Sequence, residues 1–235
     1  MKASRKLIPA FAMLLIAAVM MSTASYALFV TNGTVQANGM SITAKANTTY
    51  LMISSTEGGF ESDITQATVE TVSTNGTKYP IVYDGTQWKK AVGKDFTDGT
   101  ATGGYTEVTD TDAYVVSQSF WVKVAPGYDS ASNFKLKSIV VTGSSQAVSV
   151  MVEAGSAVNY TTFTYNKDAK TTTHSVVGGN LYDTVTSSTA LEFVVHIYIN
   201  GDHPDVTNQN FLDDVLKNLK VDLTFEAISG PADAT

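Results

Sequence analysis

The stretch Leu219-Lys-Val-Asp-Leu-Thr-Phe-Glu-Ala227 decides the fold class. Leu219, Val221, Leu223, Phe225 and Ala227 fall on one side of an extended chain, and Lys220, Asp222, Thr224 and Glu226 on the other. Successive side chains of a strand point to opposite faces, so a period of two marks a strand with one face buried. The same period returns upstream. In Leu191–Ile199 the shared face holds Leu191, Phe193, Val195, Ile197 and Ile199. Gln118, Phe120, Val122 and Val124 give a third case, and Val148, Val150 and Val152 a fourth. Phe134–Thr142 is a fifth, with a change of phase near Ser138 that predicts a β-bulge. Tyr79–Tyr83 and Thr86–Lys90 flank Asp84-Gly85, which predicts a hairpin closed by a type I′ turn. Near the front, Met40–Ala46 and Tyr50–Ser54 read as strands, and Thr34–Ala37 as a further one joined through Asn38-Gly39.

Helical spacing is scarce. Asn210–Asn218 is the best candidate, with Phe211, Leu212, Val215 and Leu216 on one face and Asn208 or Asn210 as N-cap. Phe60–Ser73 fits either a short helix or an irregular strand. Gly93–Asp112 and Lys167–Gly179 are polar and read as loops inside one domain, since neither has the composition of a linker. No period of 20 to 50 residues repeats, which argues against a solenoid or propeller. About eight or nine half-apolar strands need two sheets packed on each other. The expected fold is all-β, a jelly-roll-like β-sandwich of two antiparallel sheets with one or two short helices, formed by residues 28–235 as a single domain.

Composition narrows the function classes. The 235 residues include 32 Thr, only 16% charged side chains and no Cys. β-branched residues suit a pleated sheet. Zero Cys removes disulfide scaffolds, Cys-ligated metals and thiol nucleophiles. The first residues have the three parts of a secretory signal. Lys2, Arg5 and Lys6 are followed by an apolar run from Leu7 to Met21, then by Ser25 and Ala27, the small residues of a cleavage site after Ala27. Residues 1–27 are therefore expected to be removed, the alternative being an uncleaved anchor. The leader holds three of the 15 basic side chains and none of the 22 acidic ones, so the mature chain carries 12 against 22, a net of −10. An acidic chain is a poor partner for nucleic acid, which selects basic surfaces. The protein is expected to be secreted, extracellular or cell-surface associated, meeting the membrane only through the signal segment.

Catalytic constellations are sparse. No H-E-x-x-H, G-x-S-x-G or phosphate-loop spacing occurs. Of the three histidines, His196 lies on the outer phase of Leu191–Ile199 and is expected to face solvent; His203 sits in Asn200-Gly-Asp-His-Pro-Asp205, a sequence of turn formers. Asp95, Asp98, Asp110 and Asp112 give two acidic loops without the ligand spacing of an EF-hand. Asn-x-Ser/Thr sequons occur at Asn32, Asn47, Asn75 and Asn159. Trp88, Trp121 and the tyrosines either line a carbohydrate groove or pack across strands; Trp121 is opposite in phase to Phe120 and is the aromatic to test for a contact role. Neither an enzyme nor a cofactor or metal is expected.

Several segments resemble the secreted TasA/camelysin-like group of Firmicutes matrix proteins. The first is Arg5-Lys6-Leu-Ile-Pro-Ala, with Ser25-Tyr-Ala27 and Leu28-Phe29 after it. The second is Val35-Gln-Ala-Asn-Gly-Met-Ser-Ile-Thr-Ala44, and the third Leu219–Ala227. The turn His196-Ile-Tyr-Ile-Asn-Gly-Asp-His-Pro-Asp205 with Asn208 resembles one in uncharacterised relatives. Together these cover about a quarter of the chain, and the stretch from Ser54 to Asp112 matches nothing. The resemblance implies a jelly-roll domain and assembly into extracellular fibres, in which the mature N-terminal segment of one subunit completes the sheet of the next. Camelysin-type members have also been classed as metallopeptidases, an activity for which this chain has no recognisable zinc motif. On that reading Leu28, Phe29, Val30, Val35 and Ala37 form the subunit interface. The partners are other copies of the chain, with other matrix proteins or cell-wall polysaccharide as further candidates. A segment freed by cleavage, apolar and β-prone, is a template for pairing with another chain; the alternative is pairing within its own sheet. A surface adhesin or carbohydrate-binding sandwich is the competing function.

Overall fold

The computed structural model describes residues 40–48, 50–60, 65–70, 78–91, 104–143, 147–204, 206 and 219–229. They form fourteen strands and, among the described residues, no helix. Two large sheets face each other. Sheet A has the order β12-β8-β14-β1-β3, from β1 (Ser41–Ala46), β3 (Gln66–Glu70), β8 (Ser130–Thr142), β12 (Tyr182–Thr186) and β14 (Lys220–Ser229). Sheet B has the order β11-β10-β9-β13-β7-β2, from β2 (Leu51–Ser54), β7 (Val115–Val124), β9 (Val148–Ala154), β10 (Ala157–Asn166), β11 (Thr171–Gly178) and β13 (Leu191–Ile199). From β7 onward the chain crosses repeatedly between the sheets, as in a jelly roll, with β9, β10 and β11 the one run of consecutive strands that pair in order. Pairing within both sheets is antiparallel except β1 on β14, which run parallel with Ser41 opposite Lys220 and Ala46 opposite Phe225. The all-β sandwich expected from period-two patterning is the fold.

The core lies where the inner phases meet. Phe225 of β14 stacks on Phe134 of β8, with ring centroids 5.2 Å apart, and tilts against Phe193 of β13 at 4.7 Å. Phe120 of β7 stacks on Phe193 at 5.8 Å. All four rings are fully buried, each worth about 1.5–3 kcal/mol in area removed from water. Asn159 of β10 accepts from Leu136 N on the opposite sheet (2.8 Å) and donates to Gly179 O (2.8 Å), tying sheet B to sheet A. The bulge expected near Ser138 is there. Thr224 faces Ser138 and Phe225 faces Leu136, which leaves Lys137 as the extra residue. A second irregularity brackets Asn133, whose φ of 59° is left-handed.

A third, small sheet was not foreseen: β4 (Val82–Tyr83), β5 (Trp88–Ala91) and β6 (Tyr105–Glu107), in the order β4-β5-β6. The predicted hairpin exists, but its turn is not type I′. Tyr83 pairs with Trp88, so the loop is four residues long. Asp84 closes it by accepting from Thr86 N and Gln87 N, both at 2.9 Å, and Gly85 alone takes a positive φ, 97°. The side-chain turn satisfies the backbone donors that a two-residue turn would leave to the strands.

Other expectations need correcting. Lys167–Gly179 is not a loop: Thr171–Gly178 is β11, paired along its whole length with β10. Its threonines favour strand, but both of its faces are polar, so no alternation announced it. Tyr105–Glu107, inside the expected loop Gly93–Asp112, is β6. Of Phe60–Ser73, the part Gln66–Glu70 is strand. The eight or nine strands expected become fourteen because several are short or carry no apolar face. The signal at residues 1–27, the strand at Thr34–Ala37 and the helix at Asn210–Asn218 lie outside the described residues.

Candidate functional site

Leu28, Phe29, Val30, Val35 and Ala37 also lie outside the described residues. The place where their segment joins the sandwich is described. Met40 is fully buried and leads into β1, an interior strand of sheet A. Ser41 N donates to Leu219 O at 2.9 Å. Ser41 is paired on both sides, with Lys220 at the start of β14 and Glu70 at the end of β3. Among the described residues the sheets also have edge strands. In sheet B, β11 is an eight-residue edge strand with Thr171, Thr173, Ser175 and Val177 exposed. In sheet A, β12 is an edge with Asp183 and Thr184 exposed. Such edges present unpaired backbone groups to another strand.

The outer face of sheet B carries the densest chemistry. β13 lies between β7 and β9, and residues opposite each other across strands share a face. Ser117 of β7 is directly opposite His196, and Met151 is opposite it on β9, which puts Glu153 one diagonal step away. Ser117 Oγ and His196 Nδ1 are 2.8 Å apart. His196 Nε2 faces Glu153 Oε2 at 3.4 Å, long for a hydrogen bond and within ion-pair range. His196 is thus not the solvent-facing residue its phase implied, since only 17% of its side chain is exposed. The small sheet covers it. Trp88 of β5 sets its ring edge-on to His196 at 6.5 Å and to Tyr198 at 5.0 Å. Around them Ile81, Val115, Met151 and Tyr198 form a second buried cluster, with Tyr83 and Tyr160 packed on it. Burial pushes the His196 ring below its ordinary pKa, while the Glu153 carboxylate pulls it up. The same burial raises the Tyr198 phenol. The small sheet is held at its rim by Ile81, which exchanges backbone bonds with Ile199 and Gly201, and by the Tyr105 hydroxyl on Asp202. Burial, and then that bond, push Tyr105 up to about 12.

The other candidates are placed as follows. His203 does sit in a turn, with His203 N on Asn200 O at 3.1 Å, but its ring is fully buried. It lies between Phe163 and Tyr165, and Nε2 is 2.8 Å from Thr172 Oγ1. His174 is half-buried on β11, and desolvation lowers its pKa. Asp110 accepts from Asp112 N at 3.1 Å in a local turn. Asp95 and Asp98 lie outside the described residues. No group of three or more His, Cys, Asp or Glu able to hold a metal occurs among the described residues. The sequon at Asn159 is spent inside the core, only 1% exposed; Asn47 is exposed, and Asn32 and Asn75 lie outside the described residues. Trp121 is half-buried on the outer face. Period places His196 on the outer phase of its strand, but neither period nor composition joins it to Ser117 and Glu153. The signal that joins them is strand register, which one sequence does not carry.

No family model, characterised protein or solved structure matches the chain.

Proposed function

We propose that this chain is a secreted structural subunit of extracellular filaments or biofilm matrix, in which residues 28–37 of one copy pair with the sheet of the next. The observation that carries the reading is the place where this segment enters the sandwich. An apolar, β-prone segment, Leu28-Phe-Val-Thr-Asn-Gly-Thr-Val-Gln-Ala37, leads within three residues into β1, an interior strand of sheet A. Strand addition would give that segment a row of backbone hydrogen bonds and a pocket for every second side chain. Strands that are edges among the described residues, such as β11, would supply a place for it to add. The leader and the likeness to TasA/camelysin-like proteins support the same reading. The adhesin alternative draws on the aromatic residues, but Trp88, Tyr83 and Tyr198 pack against one another.

The test compares the mature chain 28–235 with a deletion of residues 28–37. The expected result is a folded, soluble monomer that forms no filaments by electron microscopy, against polymers from the intact chain. Filaments from a folded deletion overturn the proposal. An unfolded deletion assigns the segment to its own sheet, and a polysaccharide-binding monomer from the intact chain assigns the adhesin function.

A further inference from the structure

Three side chains on neighbouring strands form a line across the outer face of sheet B. Ser117 is exposed, His196 is sheltered by Trp88, and Glu153 is 45% exposed at the far end. The contacts, 2.8 Å from Ser117 Oγ to His196 Nδ1 and 3.4 Å from His196 Nε2 to Glu153 Oε2, order them as nucleophile, base and carboxylate. We propose that Ser117 is an activated nucleophile, with His196 as its base and Glu153 as the group that positions the imidazole, and that it is acylated or phosphonylated by reactive carboxylic esters and phosphonyl fluorides. Neither the leader nor the filament reading bears on this site.

The chemistry follows from the tautomer that the contacts select. With Nδ1 accepting from the Ser117 hydroxyl, the ring hydrogen sits on Nε2 and faces the Glu153 carboxylate. Attack by Ser117 Oγ on a phosphonyl fluoride forms the O–P bond and breaks P–F. Fluoride leaves, and the hydroxyl proton passes to His196 Nδ1. With an aryl ester, the Oγ–C bond forms, the bond to the aryloxide breaks, and the imidazolium returns its proton to the leaving group. In both cases the positive charge is paired with Glu153 at Nε2, and that contact tightens once the ring is charged. Burial keeps the ring in its neutral, proton-accepting form near neutral pH. The groups facing His196 are Ser117 from β7, Glu153 from β9 and the uncharged Trp88 from β5, with Tyr83 and Tyr160 beyond Glu153. The arrangement is rigid, since all three residues sit within paired strands rather than on loops.

The experiment treats the intact mature chain with a fluorophosphonate probe, and separately with p-nitrophenyl acetate, and follows adducts by intact mass and peptide mapping. The expected result is one adduct, on Ser117, absent in Ser117→Ala. It should form about 100-fold faster than in His196→Gln. Labelling of the intact chain should rise with pH as the imidazole loses its proton. Glu153→Gln, a near-isosteric change at a part-exposed position, should label several-fold more slowly with its pH midpoint moved down, because the imidazolium has lost its counter-charge. No adduct on Ser117, or a rate equal to that of an exposed serine such as Ser175, overturns the proposal. If His196→Gln does not fold, the pH profile of the intact chain decides: labelling that shows no step at the imidazole also overturns it.

Discussion

On sheet A, β14 turns Val221, Leu223, Phe225 and Ala227 inward and leaves Lys220, Asp222, Thr224 and Glu226 within reach of solvent. On sheet B, β9 buries Val148, Val150 and Val152 against the core, and also Ser149 and Met151 on the opposite face, beneath the small sheet. The same backbone geometry thus serves a two-sided environment in one case and a three-layered one in the other. The face left open keeps polar and charged residues. The covered one gathers Tyr198, Met151, Trp88 and His196 into a second core, where a titratable ring and an exposed hydroxyl are held in register. A covered outer face is where function-like chemistry can accumulate in an all-β protein, because burial there fixes side chains without removing them wholly from solvent.

The largest test of this comparison is in the core that both sheets share. Phe225→Ala or Phe193→Ala should cost about 3–5 kcal/mol, since each ring is fully buried against the other and against Phe134. Urea unfolding measures it. A loss no greater than that of an outer-face substitution would break the assignment of inner and outer phases.

That assignment was legible in the sequence for a physical reason. Where one face is buried and the other wet, selection on the two phases differs, and β14, β13 and β7 carried it plainly. Legibility failed in three places. In β9 both faces are buried, so alternation gives only half of the environment. In β11 both phases are polar, so Thr171–Gly178 resembled a loop although it is fully paired. In β13, the phase of His196 gives an outer position, but the cover comes from β5, some hundred residues earlier in the chain. No local pattern reports a third layer, nor the cross-strand register that puts Ser117 beside His196.

The second core should be weaker than the first and separable from it. Trp88→Ala removes the ring that packs on Tyr83 and Tyr198 and should cost about 2 kcal/mol, less than a central phenylalanine because Trp88 is only half-buried. Hydrogen exchange sharpens the point. Amides of β4 and β5 should exchange much faster in the variant, while those of β14 keep protection relative to global unfolding. Uniform loss across both would mean that the small sheet is part of one cooperative unit with the sandwich.

Acid should act on the covered face before the open one. The His196 ring is held below its ordinary 6.5 chiefly by burial, with Glu153 opposing, and His174 is lowered by burial alone. A base whose folded pKa is depressed binds its proton more readily in the unfolded chain. Its contribution is therefore complete above the unfolded pKa and is lost as pH falls from about 6.5 toward the folded value. On the open face, the Glu226 carboxyl is held below its ordinary 4.5, first by its bond to Lys137, so its contribution is lost only at lower pH. Unfolding midpoints measured between about pH 7 and pH 5 should fall, and fall less in a His196→Gln, His174→Gln variant. An equal fall in both would remove these rings as the cause.

The smallest effect belongs to the open face itself. Glu226 bridges Lys137 at 3.1 Å and Lys135 at 3.5 Å, across the bulge that brings both lysines onto one carboxylate. All three side chains are well exposed, so the Coulomb gain is screened by water and offset by the entropy of holding long side chains in place. Glu226→Ala should change stability by no more than about 0.5 kcal/mol, one residue along from Phe225, where truncation should cost several times as much. Added salt should shrink the small effect further, because exposed pairs are screened. A loss of 2 kcal/mol or more at Glu226, insensitive to salt, would mean that this face too is covered, most simply by another copy of the chain at the concentration measured; repeating the unfolding at tenfold dilution would then show the loss disappearing if the cover is intermolecular.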